Sequence, residues 1–84
     1  MLKIIDVDYI KDFKLKLKFN NGISKVVDLE SHLQGELLGE LLNHDEFIQY
    51  GLTHCTLEWS NGVDLAPEFL YEIGEEEKET VISI

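Results

Sequence analysis

The residues best suited to binding or catalysis are two acidic side chains on either side of a hairpin signal. Glu58 and Asp64 flank Ser60-Asn61-Gly62, and a three-residue loop there places the two carboxylates directly opposite each other on paired strands. Carboxylates held together in this way could bind a cation, share a proton or receive a Lys or Arg from a partner. The competing interpretation is that both point into water, where salt screens their repulsion. The sequence is consistent with both interpretations.

Two nearby residues join this pair as candidates for binding a partner. Trp59 is expected on the strand face that carries Leu57 and Leu65, so it is either a buried anchor or an exposed aromatic that binds a partner. Glu68 falls in the first turn of a predicted helix, where its charge argues against a bound phosphate. The candidate partner-binding residues are therefore Glu58, Trp59, Asp64 and Glu68.

Patterns for metal binding or nucleophilic catalysis are not evident. The single cysteine, Cys55, has no second cysteine at zinc-ligand spacing, and His54 would point to the opposite face of an extended strand. His32 and His44 are distant in sequence, and no pattern places either beside the thiol, as a Cys–His nucleophile requires. We therefore assign no catalytic residue, cofactor or metal ligand, and the sequence favours a protein that is not an enzyme.

Charge narrows the class of partner. The chain of 84 residues contains seven Lys, no Arg and 17 acidic residues, for a net charge of −10. Residues 1–27 carry six Lys against three Asp (+3), whereas residues 28–84 carry one Lys against fourteen acids (−13). Binding to nucleic acid or to an anionic membrane depends on cationic side chains, so this excess of acids argues against both. It favours a basic protein as the partner.

Length and cysteine content indicate one small domain in a reducing compartment. We predict a single domain over residues 1–72 and an acidic extension over residues 73–84. One cysteine excludes an intramolecular disulfide. No run approaches the roughly 18 apolar residues of a membrane span, and the N-terminal segment becomes charged too soon for a signal peptide. The expected location is the cytoplasm.

The elements that must position these residues begin with two strands. Residues 2–9 are rich in Ile, Val and Leu, and residues 13–19 alternate strictly between apolar residues and lysines, so both segments are predicted strands. The resulting basic surface comprises Lys14, Lys16, Lys18 and Lys25. We interpret it as protection of a sheet edge, with contact to phosphates as the alternative.

Asn20-Asn21-Gly22 predicts the turn of a first hairpin, and side-chain matching sets its register. A three-residue loop pairs Leu15 with Val27, whereas a two-residue loop would pair Leu15 with an aspartate. We therefore predict the three-residue loop, with Gly22 at positive φ. This register leaves Lys25 on the apolar face as its one mismatch.

The middle of the chain predicts short helices. Leucines at positions 33, 37, 38, 41 and 42 form an apolar stripe, and nearby glycines restrict the helix to residues 36–42. Ser31 with Gln34 resembles a capping box, and Asn43 with Glu46 predicts a second helical turn over residues 45–50. Pro67 predicts a third helix over residues 67–72.

These elements define an α+β fold, with two antiparallel β-hairpin regions, a short central helix and a short C-terminal helix. The acidic run over residues 75–79 is expected in solvent. The segment from Val81 to Ile84 is apolar enough to add a strand or to meet a partner chain.

Four segments carry a resemblance to a known family. They are Leu-Lys-Leu-Lys-Phe-Asn-Asn-Gly (15–22), Val-Val-Asp-Leu (26–29), Leu42 with Phe47, and Glu-Trp-Ser-Asn-Gly-Val-Asp-Leu-Ala-Pro-Glu-Phe-Leu-Tyr (58–71). Together they resemble the domain-of-unknown-function 2442 family of small bacterial proteins, over residues 3–72. The resemblance implies an α+β domain and a neighbouring gene for another small protein, a pairing proposed to act as a toxin–antitoxin system. It implies no catalytic residues, and residues 73–84 do not match the helix-turn-helix that is fused to some members.

The leading hypothesis is a non-catalytic protein-binding or regulatory module, antitoxin-like, whose acidic surface docks a small basic protein. One alternative is a small ligand- or metal-binding domain, or an enzyme, that uses Glu58 and Asp64. Another is a structural homodimer in which Val81 to Ile84 adds a strand across a two-fold axis.

Overall fold

Two antiparallel sheets and several short helices make up the fold. The computed structural model describes residues 1–76. The strands are β1 (Ile4–Lys11), β2 (Lys14–Phe19), β3 (Ser24–Asp28), β4 (Tyr50–Thr53), β5 (Thr56–Trp59), β6 (Asp64–Leu65) and β7 (Glu75–Glu76). The helices are α1 (Glu36–Gly39), α2 (His44–Phe47) and α3 (Pro67–Ile73), with 3₁₀ turns at Glu30–His32 and Glu40–Leu42. The first sheet has the order β1-β2-β3-β7 and the second β4-β5-β6. The predicted α+β class is confirmed.

The first hairpin, formed by β2 and β3, has the predicted register. Leu15 lies opposite Val27. The N–H of Phe19 donates to the carbonyl of Ile23 at 2.9 Å, and Gly22 has a φ of +87°. The three-residue loop is therefore confirmed.

The second hairpin, formed by β5 and β6, uses the same turn. The N–H of Trp59 donates to the carbonyl of Val63 at 2.8 Å, and Gly62 has a φ of +91°. Glu58 lies opposite Asp64, as predicted.

Strand β4 differs from the prediction for this part of the chain. The predicted helical turn over residues 45–50 ends at Phe47, and Tyr50 begins a strand that pairs with β5. The turn between β4 and β5 consists of His54 and Cys55, with φ of +53° and +65°. Two-residue turns of this kind usually contain Asn, Asp or Gly, so the residue types His and Cys do not predict this turn. His54 and Cys55 therefore lie in this turn and not in an extended segment.

The helical middle is confirmed in part. Residues 36–42 are helical, but the α-helix ends at Gly39 and a 3₁₀ turn completes the segment. The side chain of Asn43 accepts a hydrogen bond from the N–H of Asp45 at 3.1 Å, so the predicted cap is present. The predicted capping box at Ser31 is wrong, because Ser31 lies inside a 3₁₀ turn and Gln34 donates to its carbonyl.

One hydrophobic core joins the two sheets. It comprises Ile4, Leu15, Leu17, Phe19, Val27, Leu29, Leu33, Leu41, Phe47, Leu57, Trp59, Val63 and Leu70. Leu33 and Leu41 of the predicted leucine stripe are buried, whereas Leu37 and Leu42 are 56% and 49% exposed. The central helical segment therefore buries only part of its apolar surface, and Leu37 is left facing solvent.

The C-terminal part of the described chain returns to the first sheet. Helix α3 confirms the predicted third helix, and β7 follows it to pair with Lys25 and Val26 of β3. The segment from Val81 to Ile84, predicted as a strand or dimer element, lies outside the described residues. None of the helices within residues 1–76 is long and apolar enough to span a bilayer.

Candidate partner-binding groove

A groove of about 530 Å³ separates the central helical segment from the second hairpin. One wall consists of Gln34 and residues 36–38, and the other consists of residues 62–65. The walls come from segments about 25 residues apart in the chain, so the packing of α1 beside the second hairpin forms the groove.

The groove combines apolar and acidic side chains. Leu37 is exposed, and Leu38 and Leu65 are half-buried. Glu36 and Asp64 also line the groove, and both are exposed. A surface of this composition suits a segment that carries both apolar and cationic side chains.

Asn61 fixes the two walls relative to each other. Its side-chain amide donates to the carbonyl of Leu37 at 3.2 Å and to Oε1 of Glu40 at 2.9 Å. Its Oδ1 accepts from the N–H of Val63 at 3.1 Å, which also stabilises the turn. The sequence indicates Asn61 only as a turn residue. The structure adds a second role, because these bonds connect the turn of the second hairpin to the central helical segment.

The predicted carboxylate pair is divided between two surroundings. Glu58 is half-buried and Asp64 is exposed, and they face each other from β5 and β6. On its other side Glu58 faces Gly51 of β4, which has no side chain to contact it. Only Asp64 of the pair lines the groove. Within residues 1–76, no group of three or more His, Cys, Asp or Glu side chains is placed to hold a metal ion.

The other two predicted residues lie outside the groove. Trp59 is 2% exposed, and its indole N–H donates to the carbonyl of Phe47 at 2.7 Å. Trp59 is therefore the buried anchor of the two alternatives. Glu68 is exposed on α3 and does not line the groove.

Glu36, Leu37 and Leu38 line the groove but were not predicted as site residues. For Leu37 and Leu38 the only signal was the leucine stripe, which indicated burial rather than binding, and no pattern indicated Glu36. Their exposure depends on how α1 packs against the second hairpin.

The predicted basic surface is wrong in two ways. First, the outer face of the first sheet has mixed charge, since Lys16 and Lys18 lie opposite Asp8 and Asp6 of β1. Second, Lys25 lies on the other face of that sheet. The three lysines on one face of β2 predicted a positively charged surface only because the sequence does not show which strand lies beside them.

Helix α3 covers Lys25 and removes the predicted mismatch. The Nζ of Lys25 lies 3.7 Å from the centroid of the Tyr71 ring and donates to the Tyr71 carbonyl at 2.5 Å. That carbonyl is in the last turn of α3, where the helix dipole favours a cation. The aliphatic stem of Lys25 can then lie over the apolar face while its charge is satisfied.

The two sheets meet where β1 approaches β4 and its turn. The N–H of Ile4 donates to the carbonyl of Cys55 at 3.1 Å. Burial raises the pKa of Tyr50 above its ordinary value, and the charge of Asp8 raises it further. Nearby, the Tyr9 hydroxyl lies 2.6 Å from Nε2 of His44 and 3.2 Å from the Asp12 carbonyl. These contacts join the first sheet to the β4–β5 turn and to α2, and they involve none of the residues that line the groove.

The fold and the groove define a small α+β domain with an acidic, partly apolar cleft beside its second hairpin. The family model described as "Protein of unknown function (DUF2442)" matches residues 4–76, and the chain belongs to this family. The family resemblance noted over residues 3–72 is therefore confirmed. Searches of curated proteins and of solved structures found no match to the chain.

Proposed function

We propose that this protein is a non-catalytic binding or regulatory module that docks a basic segment of another protein. The observation that carries the proposal is the groove itself, where exposed Leu37 lies with the carboxylates of Glu36 and Asp64. An apolar surface flanked by like charges is suited to a segment with alternating apolar and cationic residues. The docking position is therefore the cleft between α1 and the second hairpin.

The charge of the whole chain supports the same partner class. Residues 28–84 carry fourteen acids against one Lys, and both walls of the groove fall within this range. A field of one sign speeds the encounter with a partner of the opposite sign. An antitoxin-like role, in which the acidic protein neutralises a small basic protein in the cytoplasm, is the regulatory form of this proposal.

Affinity purification with charge-reversed variants tests the proposal. The tagged wild-type chain and a tagged Glu36→Lys/Asp64→Lys double variant are each used to capture proteins from a lysate of the native host. The control is Glu30→Lys/Glu72→Lys, which changes the net charge equally at two exposed acids outside the groove.

We expect the wild type and the control to retain one basic protein in stoichiometric amounts. The groove variant should retain at least about tenfold less, because two favourable charge contacts become repulsive. The proposal is overturned if the groove variant retains that protein as well as the control does, or if no retained protein is basic.

The confirmed register of Glu58 and Asp64 supports one alternative, a cation or small ligand held by the two facing carboxylates. Thermal-shift measurements with divalent cations test it, with a Glu58→Gln/Asp64→Asn variant as the comparison. A shift in the wild type that the variant lacks would support this alternative, and identical curves would exclude it for the cations used.

A further inference from the structure

We infer that the basic segment binds as an additional antiparallel strand on the free edge of β6. The inference rests on the proposed function and specifies how the partner binds. It requires an edge strand that is open to the groove, backbone groups that point into the groove, and side chains that match an extended segment.

The groove follows the edge of the second sheet. In the order β4-β5-β6, strand β6 has a strand neighbour on one side only within the described residues. The wall formed by residues 62–65 is β6 together with the end of its turn. Among the residues that line the groove, none belongs to β5. The cavity therefore lies beside β6, on the side away from its partner strand.

The backbone of Asp64 points into this space. Because the N–H of Trp59 donates to the carbonyl of Val63, those two residues form a hydrogen-bonded pair. Antiparallel pairs alternate, so Glu58 and Asp64 form the next, non-hydrogen-bonded pair. The N–H and the carbonyl of Asp64 are thus directed away from β5, where one residue of an added strand could bond both.

The first hairpin shows such an addition within the same molecule. Its second strand, β3, has an outer edge equivalent to that of β6, and β7 pairs there at Lys25 and Val26. Within the described residues, β7 comprises Glu75 and Glu76. An added antiparallel segment can therefore cover this kind of edge.

The side chains specify an apolar–cationic–apolar pattern. A residue opposite Asp64 would place its side chain on the face shared by Glu58 and Asp64, where a Lys or Arg is favoured. Its two neighbours would point to the opposite face, which is the face of Leu65 and the core. The exposed side chain of Leu37, on the facing wall, can cover an apolar neighbour.

The added strand must be short. Pro67 starts α3 immediately after β6 and has no N–H to donate. The carbonyl of Ala66 already accepts a bond from the N–H of Leu70. Asp64 is therefore the centre of the recognition site, and specificity falls on about three consecutive residues of the partner.

A synthetic peptide tests this binding mode on the full-length chain. The probe is a short acetylated and amidated peptide with a central Val-Lys-Val. The matched control is the same peptide with a methyl group on the backbone amide nitrogen of the lysine. We expect the first peptide to shift the amide resonance of Asp64 and to slow its hydrogen exchange at least about tenfold. Methylation should weaken binding about tenfold, because it removes one backbone hydrogen bond.

The side-chain part is tested by a double-mutant cycle. Asp64→Asn should weaken binding of the lysine peptide several-fold and leave binding of a Val-Gln-Val peptide unchanged, since only the charge is lost. Asp28→Asn, at an exposed acid in the first sheet, is the control and should change neither affinity.

Each outcome bears on a separate claim. Equal binding of the methylated peptide, or no perturbation of Asp64 at the highest soluble peptide concentration, overturns strand addition. If the charge-reversed groove variant has also lost the basic protein, the proposed function stands while this binding mode fails. If the charge-reversed groove variant retains the basic protein, the proposed function fails, regardless of whether the peptide binds.

Discussion

The two hairpins use one turn in two different ways. In each, an Asn-Gly pair closes a three-residue loop, and the glycine has nearly the same φ, +87° at Gly22 and +91° at Gly62. In each, the asparagine Oδ1 accepts from the backbone N–H two residues later, at 3.0 Å for Asn21 and 3.1 Å for Asn61. The turns are therefore equivalent, and the differences between the hairpins arise outside them.

Those differences concern the outer edge and the charge. The outer edge of β3 is covered by β7, whereas β6 borders the groove. The first hairpin pairs Lys14 with Asp28, whereas the second places Glu58 opposite Asp64. The same local structure thus serves once as a closed part of the core and once as an open, acidic edge. This comparison can be tested at the aromatic anchors, the covering strand, the turn glycines and the facing charges.

The largest expected effect is at the aromatic anchors that precede the turns. Trp59→Phe should destabilise the fold by about 2–4 kcal/mol, because it removes buried volume and leaves the Phe47 carbonyl without its 2.7 Å hydrogen bond. Phe19→Leu, at the equivalent position, removes volume and the edge-to-face contact with the Tyr71 ring but breaks no hydrogen bond, and it should cost about 1–2 kcal/mol. Urea denaturation followed by far-UV circular dichroism measures both. Equal losses would show that the indole hydrogen bond contributes nothing.

The next effect separates the covered edge from the open one. A Cβ at Gly74 would lie 3.0 Å from the Leu70 carbonyl oxygen and 3.0 Å from Cβ of Lys25. Gly74→Ala should therefore destabilise the fold by about 1–3 kcal/mol and loosen β7 from β3.

Hydrogen exchange at Val26, beside β7, measures this loosening. Gly39→Ala is the control, because nothing lies within 4 Å of a Cβ there, and it should be neutral or stabilising. An unchanged stability for Gly74→Ala would mean that α3 can shift without losing its contacts.

A smaller effect tests the equivalence of the turns. Gly22→Ala and Gly62→Ala should each destabilise by about 1–2 kcal/mol, because both positions require a positive φ. Gly51→Ala, in open space on β4, should lie within about 0.5 kcal/mol of the wild type. A clearly larger loss at Gly62 than at Gly22 would show that the bonds from Asn61 to the central helical segment depend on the turn.

Local rules explain what the sequence could predict. Turn residues and side-chain matching determine the register of both hairpins within a few residues, so the positions of Gly22, Gly62 and the Glu58–Asp64 pair follow from sequence. The cap at Asn43 and the start of α3 at Pro67 are equally local.

The rest depends on contacts between distant segments. Lys25 can lie on the apolar face because its ammonium group donates a hydrogen bond to the carbonyl of Tyr71, 46 residues later in the chain. The groove is formed by α1 packing beside the second hairpin, so no pattern in either segment indicates it. Strand β4 was missed for a different reason, because His54 and Cys55 are not the residue types by which such turns are recognised.

The smallest effect compares the facing charges. Glu58→Gln should stabilise the fold by about 0.2–1 kcal/mol, since it removes the repulsion from Asp64 across the strand pair. Lys14→Gln should destabilise it by a similar amount, since it removes the attraction to Asp28. Both differences should shrink when salt is raised, because these side chains are exposed or half-buried and their interactions are screened.

Chemical denaturation with urea, which adds no charge, at low and high NaCl measures the two differences. A destabilising effect of Glu58→Gln would contradict the comparison, because it would mean that the two carboxylates stabilise the fold together. That result would favour the cation-binding alternative. A stabilising effect would instead identify Glu58 and Asp64 as charges that weaken the free protein, which a cationic side chain of the partner could neutralise on binding.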